Sequence, residues 1–171
     1  MAKSRKRAVR TSDNNVGQER YELYKAAFEW ITKSISEGFY LEAISLEESL
    51  ITDRLESYLT WLRGTDFSFK TLGDLKRAIE TYETDNALRQ LVLGELDHWR
   101  QARNQAAHEM VKIEDGKRVG WVDRMRINQV VAEEGFKLVR KIDRQTKLLI
   151  LILEKANFPI FNFLLEFLLD F

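Results

Sequence analysis

The 171 residues contain one proline, Pro159. Ahead of it, apolar side chains recur every three or four positions, so almost the whole chain is constrained to fold as amphipathic helices. Gln18 to Ile35 carries Leu23, Ala26, Ala27, Trp30 and Ile31 at this spacing, and Gly38 closes the run. A second helix, about 40 to 62, places Leu41, Ile44, Ile51, Leu55, Tyr58, Leu59 and Leu62 on one broad face. Its charged residues Glu42, Glu47, Glu48, Asp53 and Glu56 fall mostly outside that face. Gly64 and the polar stretch to Lys70 read as a loop. Thr71 can accept hydrogen bonds as N-cap of a short helix ending near Glu83, and a longer helix runs from Asp85 through Leu88, Leu91, Val92, Leu96 and Trp99. Only Val111 to Val122 breaks the pattern, where Asp115-Gly116 between β-prone residues predicts a tight hairpin turn. Asp123 is then suited to cap a final long helix. Its inner face would be Ile127, Val130, Val131, Leu138, Val139, Ile142 and Leu149, and it would end around Asn157. The expected fold is an all-α helical bundle with a small β-hairpin insertion near residues 111–122.

At this length, with 44% hydrophobic residues, one domain can bury roughly 70% of its unfolded surface. The expected organisation is a basic arm over 1–17, a helical domain over 18–157 and an apolar tail over 158–171. Cysteine is absent, which excludes disulfides, a thiolate nucleophile and a cysteine-based zinc site. No apolar secretory stretch opens the chain, so the cytoplasm is the expected location. Formal net charge is zero, and any affinity for nucleic acid must therefore come from local patches. Two exist. Lys3, Arg5, Lys6, Arg7 and Arg10 form an arm able to track a phosphate backbone, or simply a solvated tail. Residues 100–126 carry seven basic against four acidic side chains.

The tail from Phe158 to Phe171 is apolar except for Asn162, Glu166 and Asp170, which recur every fourth residue. It is too short and interrupted for a span of about 20 apolar residues, and its acidic stripe is wrong for anionic lipid. Burial against the core or a second subunit is expected, with no membrane association.

The richest chemistry lies in the run from Trp99 to Glu109, where Arg103, Asn104 and His108 form an R-N-x-x-x-H pattern. Arginine offers a permanent forked cation matched to phosphate oxygens, and histidine exchanges protons near neutrality. Such a set can hold a phosphate and move a proton without a metal. On a straight α-helix, however, residues five apart point about 140° away from each other and differ by about 7.5 Å in height. They serve one phosphate only if the helix starts or bends between them, if the arginine reaches around, or if a second subunit completes the site.

With Leu96, Trp99 and Arg100 ahead of it and Ala106-Ala107-His108-Glu109 behind, the segment resembles the R-N-x-x-A-H signature of the HEPN superfamily of helical nucleotide-binding domains. Leu41 to Leu59 looks like the long upstream helix of those domains, and the resemblance covers residues 18 to about 155. It implies a metal-independent endoribonuclease of the phage-defence or toxin type, acting as a homodimer whose two motifs converge on one cleft. Arg103 would hold and neutralise the scissile phosphate, Asn104 would orient it, and His108 would act as general base or acid. The ribose 2′-OH would attack the adjacent phosphorus, leaving a cyclic phosphate and a free 5′-OH. No cofactor is implied. The expected partners are substrate RNA, a second copy, and an antitoxin or nucleotidyltransferase protein.

Other classes stay open. One is a non-catalytic HEPN-like module that binds a nucleotide, RNA or a protein partner. The other is a structural protein in which Arg103 and His108 only satisfy helix ends. Glu95-x-x-His98 has the spacing of carboxylate-bridged metal sites but lacks the second Glu-x-x-His that such sites need. His98 could instead line the cleft or be an ordinary surface residue. Glu47, Glu48, Asp53 and Arg54 either support the site from the side or make a solvated charged face.

Overall fold

The computed structural model describes residues 15–108, 110, 111 and 119–157, with side chains through 154. All regular structure among the described residues is helical: α1 (Val16–Glu37), α2 (Tyr40–Arg63), α3 (Leu72–Tyr82), α4 (Asn86–Gln90), a π-helical turn (Leu91–Leu96), α5 (Asp97–His108) and α6 (Trp121–Asn157). The basic arm through residue 14 and the segment 158–171 lie outside the described residues, and α1 begins inside the expected arm. No helix among the described residues is long and apolar enough to cross a membrane.

The boundaries follow from backbone chemistry. Gly38 sits at φ +83°, where an L side chain would be strained, and lets the chain reverse while Phe39 N donates to Ser34 O at 2.8 Å. Gly64 ends α2 in the same left-handed region. Thr71 caps α3 through a reciprocal pair: Asp74 N donates to Thr71 Oγ1 at 3.1 Å, and Thr71 N to Asp74 Oδ2 at 3.3 Å. The Thr71 bond, then the Arg77 guanidinium, hold the Asp74 carboxyl below its ordinary range. Asp85 Oδ1 accepts Leu88 N at 2.7 Å and so starts α4.

Helix α2 is the centre of the bundle. It makes its most extensive contact with α6 and also touches α1, α3 and α5. Its apolar face, including Ile44, Ile51, Leu55, Tyr58 and Leu59, is fully buried. Below it, Tyr58 donates to Glu83, whose other carboxylate oxygen accepts Thr84 N and Asp85 N at 2.8 Å each. Burial first, then the Glu83 bond, push the Tyr58 hydroxyl above its ordinary range. Within the π turn, Leu91, Val92 and Leu96 are all buried while Glu95 stays exposed.

Two helix faces differ in part from the sequence expectation. On α1, Ala27 and Ile31 pack as expected, but Leu23, Ala26 and Trp30 are exposed, and Tyr24, Phe28 and Ile35 pack in their place. Polar and ring contacts turn the helix: Tyr24 Oη donates to Asp53 at 2.8 Å, Arg54 lies 4.8 Å from the Tyr24 ring, and Phe28 meets Phe136 edge-on. On α6, Ile127 and Val130 are exposed, while Asn128, Val131, Ala132, Gly135, Leu138, Val139, Ile142, Thr146 and Leu149 form the inner face. That stripe keeps the three-four spacing but includes polar Asn128 and Thr146 and side-chain-less Gly135, which apolar periodicity passes over. Thr146 is satisfied within its own helix by donating to Ile142 O at 2.8 Å.

The expected hairpin is corrected in part. Residues 112–118, including its turn, lie outside the described residues, and there is no strand among the described ones. Trp121 and Val122, expected near its end, begin α6 instead, so Asp123 falls within the first helical turn rather than at the cap.

Candidate functional site

Arg103 projects from α5 into a groove of about 840 Å3 between α2, the 64–71 loop and α5. The α2 wall presents the small hydroxyls of Ser45, Ser49 and Thr52, and the opposite wall presents Arg100 and Arg103. The Arg103 side chain is only 15% exposed and is ion-paired with Glu48 of α2. Its Nε is buried with no hydrogen-bond partner, so the guanidinium retains donor capacity beyond the Glu48 pair. Arg100 is oriented by Asp97, at 3.0 Å from Nε and 2.9 Å from Nη2. Asp97 in turn takes Lys76 Nζ at 2.9 Å, and that ammonium, then Arg100, hold its carboxyl below the ordinary range.

Of the three motif residues, Asn104 is half-buried and His108 is exposed as the last residue of α5. Because α5 is regular α-helix from Asp97 to His108, no start or bend separates Arg103 from His108. The rotation of about 140° expected for a straight helix therefore applies to them. The helix brings Arg103 and Arg100 to one groove and turns His108 away from it.

The α2 acids are not a uniform solvated face. Glu48 holds Arg103, Asp53 accepts Tyr24 Oη, and Arg54 pairs with Asp143 at 2.5 Å. Glu47 is fully buried, neither carboxyl oxygen has a hydrogen-bond partner, and burial pushes its carboxyl up to about 9. It is protonated at neutral pH. Room for it is made by Gly135 of α6. A Cβ at Gly135 would stand 2.0 Å from Glu47 Oε2 and 2.7 Å from Trp99 Nε1, which itself donates to Val131 O at 2.9 Å. Glu47, Trp99 and Gly135 thus lock α2, α5 and α6 together, on the helix that carries Arg103. Gly135→Ala is expected to lower stability by about 1–3 kcal/mol through overpacking. Adding Glu47→Ala should recover part of that loss, measured by denaturant titration of both single variants and the double.

Sequence reasoning did not single out Phe69, a groove-lining residue that is 59% exposed and has its backbone at φ +59°. The Glu95 carboxylate is taken by Lys141 at 2.5 Å. Together with His98, Lys137 and Glu134 it lines a second recess, of about 350 Å3, against α6. Among the described residues no three carboxylates or histidines gather around a point that could hold a metal ion.

Comparison with known proteins finds no match to a family model, to a curated protein or to a solved structure.

Proposed function

We infer that the protein is a metal-independent endoribonuclease whose phosphate site is the groove holding Arg103. The observation that carries this reading is the guanidinium itself: nearly enclosed, fixed by a carboxylate on one side, and carried on a residue that lines the groove. A planar guanidinium fork so held is pre-oriented to donate to two oxygens of an anion such as a phosphodiester. The groove volume lies within the range of about 300–1,000 Å3 typical of ligand sites.

In the proposed reaction the ribose 2′-oxygen bonds to phosphorus as its proton passes to a base. The bond from phosphorus to the 5′-oxygen breaks, and that oxygen takes a proton from an acid. His108 is the group suited to give or take these protons, Asn104 orients the phosphate, and Arg103 offsets the charge that develops on it. Since about 140° of helix separates the two principal residues, His108 reaches the phosphate from a second copy of the chain. The HEPN resemblance of the motif points to the same homodimer with a composite site.

Mixing subunits tests this arrangement. Arg103→Ala and His108→Ala homodimers are expected to be inactive alone. After unfolding and co-refolding in equal amounts they should recover about a quarter of wild-type activity, because half the dimers are mixed and each mixed dimer has one intact site. No recovery would show that both residues act within one chain.

A second reading is favoured by the same ion pair. A phosphate must share Arg103 with Glu48, as would suit a non-catalytic HEPN-like module that binds RNA, a nucleotide or an antitoxin or nucleotidyltransferase partner without turnover. Binding of RNA that Arg103→Ala weakens, with no cleavage at any enzyme concentration, would select it.

A further inference from the structure

Phe69 is a bulky residue in the left-handed region, at φ +59°, where glycine or asparagine is the ordinary occupant. The residue is 59% exposed rather than buried in the core. The core is served by its neighbours: Phe67 packs against Tyr82 edge-on, and Leu72 is buried. Neither backbone preference nor burial accounts for an aromatic ring here.

The surrounding chain over-determines the conformation. Phe67 N donates to Thr60 Oγ1 at 3.1 Å, Lys70 N to Glu56 Oε1 at 2.9 Å, and Thr71 is tied into its capping box. The loop is therefore fastened on both sides of Phe69 and holds the ring at the mouth of the groove whose far wall carries Arg100 and Arg103. Strain kept in a rigid frame, with an exposed aromatic residue lining the same groove as two guanidinium groups, is the arrangement of a ligand clamp. An aromatic face and a guanidinium are the two elements that grip an unpaired nucleotide, the one stacking its base and the other holding its phosphate. Each carboxylate in the groove already has a partner within the fold. Glu48 is paired with Arg103, Asp53 accepts Tyr24 Oη and Glu56 accepts Lys70 N.

We propose that Phe69 is a stacking platform for an unpaired RNA base, so that the groove takes single-stranded rather than duplex RNA. The proposal rests on the ribonuclease reading of the same groove and adds the form of substrate to it. A base inside a duplex is stacked on its neighbours and has no free face for the ring.

The test uses a labelled 2′-O-methyl oligonucleotide, which lacks the attacking hydroxyl, alone and annealed to its complement, with binding read by fluorescence anisotropy. Wild-type protein is expected to prefer the single strand. Phe69→Ala should weaken that binding roughly 10- to 100-fold and leave the duplex unaffected, while Phe69→Trp should restore it. Phe69→Gly should raise the Tm by relieving the backbone, yet bind as weakly as Phe69→Ala. If Phe69→Ala binds as wild type does, or Phe69→Trp is as weak as Phe69→Ala, the platform is overturned and the ribonuclease reading stands. If wild-type protein binds RNA in neither form, that reading falls and the platform falls with it.

Discussion

Raising the pH from 5 to 8 is expected to cost the folded protein about 4 kcal/mol of stability through Glu47 alone, at about 1.4 kcal/mol per unit. In the unfolded chain this carboxyl titrates near 4.5, and in the fold it is held protonated to about 9. A group whose folded value is raised contributes stability that is fully present below about 4.5 and is lost as pH climbs towards 9. The cause is geometric: the carboxyl is buried against Gly135 and Trp99 with no partner for either oxygen. The other shifted groups act outside this window. Asp74 and Asp97 are lowered from 3.8, so their contribution is lost only at more acid pH, and Tyr58 is raised from 10.0. Glu47→Gln keeps the shape and cannot ionise. Urea midpoints at pH 5 and 8 should fall steeply with pH in wild type and much less in the variant. Equal slopes would show that the Glu47 carboxyl is not held neutral.

The second large effect is on turnover. His108→Ala is expected to lower the rate of RNA cleavage 10²- to 10⁴-fold, the usual contribution of a positioned acid or base. The Tm should hardly move, because the imidazole is exposed at the end of α5. Arg103→Lys separates charge from geometry. It keeps a cation for Glu48 but loses the planar fork, so folding should persist while cleavage falls nearly as far as in Arg103→Ala. A variant series in which Tm falls in step with activity would instead assign Arg103 and His108 to structure.

Much of the helical layout can be read from residue spacing, because apolar periodicity, Gly38, Gly64, Thr71 and Asp85 each act locally. The faces of α1 and α6 are less legible. Tyr24 is turned inward by Asp53 and Arg54, and α6 by Gly135, partners at least 29 residues away or residues that carry no hydrophobic signal. The candidate site divides in the same way. Arg103, Asn104 and His108 stand out as residue types, but the Arg103–Glu48 pair joins positions 55 apart, and nothing in the local sequence marks Glu48 above Glu47. The two neighbours have opposite fates, one ion-paired at the groove and one neutral in the core. Phe69 is hidden for a different reason, since its backbone angle is set by bonds to Thr60 and Glu56 rather than by its own preference.

The most direct measurement incubates total RNA with wild-type and His108→Ala protein in EDTA and identifies the new termini. New cyclic phosphate and 5′-OH ends with wild type, and none with the variant, are the predicted result. Equal cleavage by both proteins, cleavage only after a divalent metal is restored, or no cleavage by wild type would contradict a metal-independent ribonuclease that uses His108.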